Sequence, residues 1–270
     1  MERIQEALAK ARAQRNKDSV ARTEHIEPAK PRQPIEDAWS ALAPLKLNRA
    51  ALKRNRVLAS EIGRDAAPYD LLRTKIIHQA HINNWRRVAI VSPDIGAGKT
   101  TTLANLAFSF ERQRDMRVMC LDLDLRRPTL HKVLAQVPDH SMADVLDGHV
   151  AFADHGLRLG NRVGFGLNNG PASNPSELLL SRAARDVLDQ IESDYAPDLT
   201  LFDISPLNVS DDNIAFLQNV DCAVIIVAAE STPMGRIDQA ERQVAELTNV
   251  MGIVLNKCRY FGDAEGYEYY

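Results

Sequence analysis

Short unbroken apolar runs alternate with longer amphipathic stretches from residue 86 to the end of the last run at 256. The runs are RRVAIVS at 86–92, RVMCLDLD at 117–124, LTLFDIS at 199–205, CAVIIVAA at 222–229 and VMGIVLN at 250–256, with a shorter one at 163–167. Apolar residues recur at three- and four-residue spacing over 69–82, 100–112, 176–194, 211–218 and 236–248. Continuous apolar runs predict strands buried on both faces, and amphipathic stretches predict helices that cover them. The expected fold class is therefore α/β, a mostly parallel sheet with helices on both faces. No internal repeat is visible.

The front of the chain reads differently. Residues 1–17 place Ile4, Ala7, Leu8 and Ala11 on one stripe of a short amphipathic helix. Residues 18–44 carry Pro28, Pro31, Pro34 and Pro44 among polar residues and predict a flexible linker. The folded domain is expected over 45–258, followed by a tail at 259–270.

Charge and cysteine usage narrow the classes. The 270 residues carry 33 Lys and Arg against 36 Asp and Glu, a net −3, so the whole chain offers no electrostatic case for nucleic acid. Residues 1–60 hold 13 basic and 7 acidic side chains, so the front is positive and the remainder negative. Cys120, Cys222 and Cys258 are odd in number and form no C-x-x-C pair, which argues against a disulfide scaffold or zinc site and fits a cytoplasmic protein. The opening residues are too charged for a secretion signal. No apolar stretch approaches the roughly 18 residues of a membrane span, so membrane work would need a partner.

The first core strand runs into Ser92-Pro93-Asp94-Ile95-Gly96-Ala97-Gly98-Lys99-Thr100-Thr101, and a helix follows. A glycine-bearing turn between strand and helix can aim backbone N–H groups at phosphate, and the helix N-terminus adds partial positive charge. Residues Asp94 to Thr101 are the candidate nucleotide-binding loop of a P-loop NTPase fold. Lys99 is placed to reach the β- and γ-phosphates and the Thr100 hydroxyl to ligate Mg²⁺. Pro93 stands where the standard pattern begins with Gly. Asp122 and Asp124 end one strand and Asp203 ends another, at the sheet edge where open α/β sheets bind ligands. Three acids beside a phosphate site call for a cation, and Mg²⁺ takes such oxygens.

With GAGKTT at 96–101, LDLDLRRP at 121–128 and LFDISP at 201–206, the chain resembles the bacterial tyrosine kinases of capsule and exopolysaccharide synthesis. NPSELLLS at 174–181 and SDD at 210–212 are similar to further landmarks of that family. The resemblance implies ATP-dependent autophosphorylation with Mg²⁺. Asp122 would be the base and an outer-sphere metal contact, Thr100 and Asp203 would hold the metal, and Asp124 would orient or share it. Lys99 would neutralise the transferring phosphoryl group. Arg126 would either assist near the γ-phosphate or brace the turn before Pro128. Asn256 would either read the adenine edge or close a strand-end turn.

Four of the six tyrosines, Tyr260, Tyr267, Tyr269 and Tyr270, lie in the last 11 residues, similar to the tail cluster that such kinases phosphorylate, usually on a neighbouring subunit. The resemblance also implies a homo-oligomer, a membrane polysaccharide co-polymerase as activator, and an opposing tyrosine phosphatase. The charge balance gives no support for a nucleic-acid partner, and the resemblance implies a location in the cytoplasm or at the inner membrane face through the activator.

Two departures are visible. Family members often carry E-x-x-R-x-x-R on the helix before the first core strand, and here those positions are Ala67, Asp70 and Arg73. The loop reads IGAGKT where PGEGKS or PGEGKT is common. The alternative reading is a deviant-Walker ATPase that dimerises on ATP and binds a partner or membrane. Such ATPases usually carry an additional loop lysine, and its position here is Asp94.

Overall fold

The structure is a computed structural model that describes residues 35–209 and 212–258, apart from the Ala215 side chain. The expected N-terminal helix at 1–17, the first part of the linker and the tail with its four tyrosines lie outside the described residues.

In chain order the elements are α1 (Ile35–Ala41), β1 (Ala43–Pro44), α2 (Arg49–Arg54), α3 (Ala67–Asn83), β2 (Arg87–Val91), α4 (Lys99–Glu111) and β3 (Val118–Asp122). They continue as α5 (Leu130–Val133), α6 (Met142–Leu146), α7 (Phe152–His155), β4 (Leu157–Leu159), β5 (Val163–Gly166), α8 (Pro175–Leu180) and α9 (Arg182–Tyr195). The last are β6 (Leu199–Asp203), α10 (Asp212–Leu217), β7 (Cys222–Ala228), α11 (Met234–Leu247) and β8 (Asn249–Asn256). The sheet order is β1-β4-β5-β3-β6-β2-β7-β8. Its pairings are parallel except β4 with β5.

Successive residues of each central strand enter different cores. Ala89, Met119, Phe202 and Ile225 join one cluster with Leu188, Ile191 and Val244 of the helices on that face. Ile90, Cys120, Leu201 and Val224 join the other, packed on Leu103, Leu106 and Phe110 of α4. Burial on both faces explains why these strands read as continuous apolar runs. Cys120 and Cys222 are ordinary core residues of this second layer. Among the described residues no helix is long and apolar enough to cross a membrane.

Residues 35–44 correct the linker boundary, because they form α1 and β1. Trp39 is buried, its Nε1–H donates to the Tyr195 carbonyl at 2.7 Å, and its ring meets Tyr195 edge-on at 6.0 Å. Pro44 ends an outermost strand, where a missing N–H leaves no ladder bond unmade. Proline density concealed a segment that one buried indole fastens to the domain. The helix expected over 176–194 is two helices. Ser181, extended at φ −64 and ψ 149, breaks it and caps α9 by accepting from Ala184 N at 3.0 Å.

Candidate active site

The glycine loop sits between β2 and α4, as its strand–turn–helix pattern predicts. Gly96 and Gly98 take φ values of +81 and +98, a left-handed backbone that favours glycine. Ser92 Oγ donates to the Asp94 carbonyl at 2.8 Å within the turn. The Asp94 carboxylate forms an ion pair with Arg236 at the start of α11, so the position of the additional lysine of switch ATPases holds an acid tied to another helix. Ile95 is exposed at the loop tip, while Ala97, Lys99 and Thr100 are buried and Thr101 is half-buried.

Sheet register brings the acids together. Asp122 stands opposite Asp203 in the β3–β6 ladder, and Asp203 faces Ile90 of β2 on its other side. Lys99, first residue of α4, places its Nζ 2.9 Å from Asp124 Oδ2 and 3.1 Å from Asp203 Oδ1. Asp124 is further held by the Ser205 hydroxyl at 2.9 Å and the Arg127 N–H at 3.1 Å, both donating to Oδ1. Asp122 accepts the N–H groups of Asp124 and Leu130, each at 3.3 Å. Thr129 and Thr100 share a hydroxyl contact of 3.3 Å.

Burial sets the electrostatics. Asp122 and Asp203 expose no surface. Burial, reinforced by the Asp203 charge, pushes the Asp122 carboxyl well above the ordinary carboxylate range. Burial also raises Asp203, against the pull of Lys99. Burial works against the Lys99 charge, but the carboxylates of Asp203 and Asp124 outweigh it and hold the ammonium above its usual range.

The donors fit magnesium. Asp203 Oδ2 is buried with no hydrogen-bond partner among the described residues, and Thr100 supplies a neighbouring hydroxyl. Hydroxyl and carboxylate oxygens are the hard ligands that Mg²⁺ prefers. Among the described residues no set of three His, Cys, Asp or Glu is arranged to hold a cation unaided.

Arg126 is held by two neighbours. Its Nε is 2.6 Å from Asp212 Oδ2 and its Nη2 is 2.9 Å from Ser176 Oγ, which ties the loop after β3 to the starts of α8 and α10. Asn256, at the end of β8, donates from Nδ2 to the Ala97 carbonyl at 2.8 Å.

Sequence reasoning missed Ser205, although it stands two residues past Asp203 in LFDIS. It also missed Asn168, which is fully buried and donates to the Asp122 carbonyl at 2.7 Å while accepting from Ser141 Oγ at 3.0 Å. No local pattern marks Asn168; only the β3–β5 pairing brings it there. Asp70 and Arg73 are engaged within the chain, since Arg73 Nη1 donates to the Ser109 carbonyl at 2.8 Å and Asp70 pairs with Arg112 at 2.5 Å.

The chain is 29% identical over 233 residues to the tyrosine-protein kinase YwqD of Bacillus subtilis, covering 84% of this chain and 95% of that one. The kinase domain of the Escherichia coli tyrosine kinase ETK has a similar fold, with a TM-score of 0.66 at 19% identity over 92% of this chain and 89% of that one. A cobyrinic acid a,c-diamide synthase from Mycobacterium smegmatis, solved with an ATP analogue and magnesium, matches at a TM-score of 0.50 and 20% identity, over 63% of this chain and 74% of that one. Residues 88–264 match the model of the CobQ/CobB/MinD/ParA nucleotide binding domain, and the chain belongs to that family.

Proposed function

We propose that this chain is an ATP-dependent tyrosine autokinase that regulates capsule or exopolysaccharide polymerisation and export. The observation that carries the reading is the Lys99 ammonium bound between Asp124 and Asp203, beside the buried Asp122, at the foot of the glycine loop. Similarity to a named tyrosine kinase over nearly its whole length supports it. So does the tail, where Tyr260, Tyr267, Tyr269 and Tyr270 cluster.

In this reading the loop N–H groups and the N-terminus of α4 receive the β- and γ-phosphates of ATP. Lys99 leaves the acids for the phosphates, which opens the cluster to the ligand. Thr100 and Asp203 would hold Mg²⁺ and Asp122 would contact it indirectly; when bound, the ion would neutralise charge on the phosphoryl oxygens. A tyrosine phenol has an ordinary pKa near 10 and needs a proton acceptor. Asp122 takes that proton. The phenolic oxygen bonds to the γ-phosphorus as the bond to the ADP oxygen breaks, and catalysis is positioning and electrostatics. Asp124 orients Lys99, and Arg126 holds the surrounding loops through Asp212 and Ser176.

The acceptor tyrosines belong to a neighbouring copy in a homo-oligomer. A membrane polysaccharide co-polymerase activates the kinase and keeps it at the inner membrane face, and a tyrosine phosphatase reverses the modification.

Incubation of the full chain with Mg-ATP and the activator's cytoplasmic segment, followed by mass spectrometry, should find phosphate on the tail tyrosines. Lys99→Met should carry none. A bare wild-type tail in protein that calorimetry shows to bind ATP overturns the kinase reading and leaves a nucleotide switch. Deleting residues 260–270 should then leave ATP-dependent assembly unchanged.

A further inference from the structure

The two peptide groups at the centre of the glycine loop are held from outside by the last strand. Asn256 Nδ2 donates to the Ala97 carbonyl at 2.8 Å, and Lys257 Nζ donates to the Gly96 carbonyl at 2.6 Å. The Asn256 amide has one possible orientation, because its Oδ1 accepts the Lys257 N–H at 2.9 Å while its Nδ2 faces a carbonyl. A Cβ added at Gly98 would collide with Asn256 Nδ2, so the side chain is seated directly on the loop. Lys257 takes φ +61, a left-handed conformation that costs a non-glycine residue and calls for an explanation. At that φ its ammonium rests on the loop.

Peptide geometry gives the consequence. The Gly96 carbonyl shares a planar trans unit with the Ala97 N–H, and the Ala97 carbonyl shares one with the Gly98 N–H. In such a unit the N–H points opposite to the C=O. Turning both carbonyls toward β8 therefore turns both N–H groups to the other side, away from Asn256 and Lys257. A hydrogen bond on a carbonyl, above all from a cation, also polarises its own N–H into a better donor.

We propose that Asn256 and Lys257 are positioning residues that preset the Ala97 and Gly98 N–H groups for the phosphates, so that their contribution is to phosphate and not to the base. The inference rests on the loop being the nucleotide site and is independent of tyrosine phosphorylation.

The test measures the affinity of the full chain for Mg-ATP, Mg-GTP and inorganic tripolyphosphate by titration calorimetry. Asn256→Ala and Lys257→Met should each weaken all three by a common factor of about tenfold, the size of one hydrogen bond to a strongly polar group. Lys257→Arg, which keeps a cationic donor, should recover most of the loss. Thermal unfolding of unliganded Lys257→Met should match wild type, because Lys257 is exposed. An Asn256→Ala protein that loses ATP but keeps GTP and tripolyphosphate reads a base and overturns the proposal. So does a Lys257→Met protein that binds all three as tightly as wild type. A wild-type chain that binds none of the three removes the nucleotide site itself, and this inference with it.

Discussion

The two ends of strand β2 carry opposite arrangements of charge. At the amino end Arg87 forms a two-pronged pair with Glu192, Nε to Oε1 at 2.8 Å and Nη2 to Oε2 at 2.7 Å, and it also reaches Asp189. Thr200 donates to the same Glu192, and Asp221 accepts the N–H groups of Arg86 and Arg87 at 2.7 and 2.8 Å. Burial works against the Arg87 charge, yet Glu192 and Asp189 outweigh it. At the carboxyl end one ammonium faces three acids, two of them fully buried, and Asp203 Oδ2 has no hydrogen-bond partner among the described residues. The amino rim is complete as it stands. The carboxyl rim holds more acid than base in a poorly screened site, which an added cation or proton relieves. One rim secures the fold; the other gives up some stability to keep a site ready.

The largest expected effect separates activity from stability at the carboxyl rim. Asp122→Asn should lower phosphotransfer by about 10²- to 10⁴-fold, the range for losing a general base. Its thermal midpoint should equal or exceed that of wild type, because a neutral amide removes a like charge beside Asp203. A large fall in the midpoint would place Asp122 with the structural groups and break the contrast.

Arg87→Ala should do the reverse. Stranding Glu192 and Asp189 should cost about 2–3 kcal/mol in chemical unfolding, tempered by the partial exposure of both acids. Phosphotransfer per folded molecule should stay within about twofold. A loss of turnover without unfolding would show that the amino rim also serves the chemistry.

The smallest effect is a pH signature. A carboxyl whose folded pKa is raised binds more protons in the native state, so its unfavourable contribution grows as pH rises from the unfolded value, is complete above the folded one and is absent below both. The stability advantage of Asp122→Asn over wild type should be largest in alkali and shrink on acidification. Midpoints measured from pH 8 down to pH 5 check this, and a gap that widens in acid would reverse the assignment.

Much of this was legible beforehand because the relevant physics is local. A strand buried on both faces must read as an unbroken apolar run, and a phosphate turn must be short on side chains, so β2, β3, β6, β7 and the loop announced themselves. Lys99 followed from the glycine-loop pattern ahead of a helix, and Asp122 and Asp203 from their places at strand ends. The segment 35–44 did not, because its membership in the domain rests on Trp39 meeting Tyr195, a contact across 156 residues of chain. The break at Ser181 was hidden by amphipathic spacing that continues through it.

The sequence by itself determined the alternation of elements, the glycine loop and the edge on which the acids gather, since periodicity and backbone conformational demands act within a few residues. Tertiary structure alone decided that Asp122 stands level with Asp203, that Asn168 and Ser205 hold the acids in place, and that Asn256 and Lys257 grip the loop. Those relations depend on which strands lie side by side and in what register. Register is settled by the packing of two whole cores, and no short stretch of chain contains it.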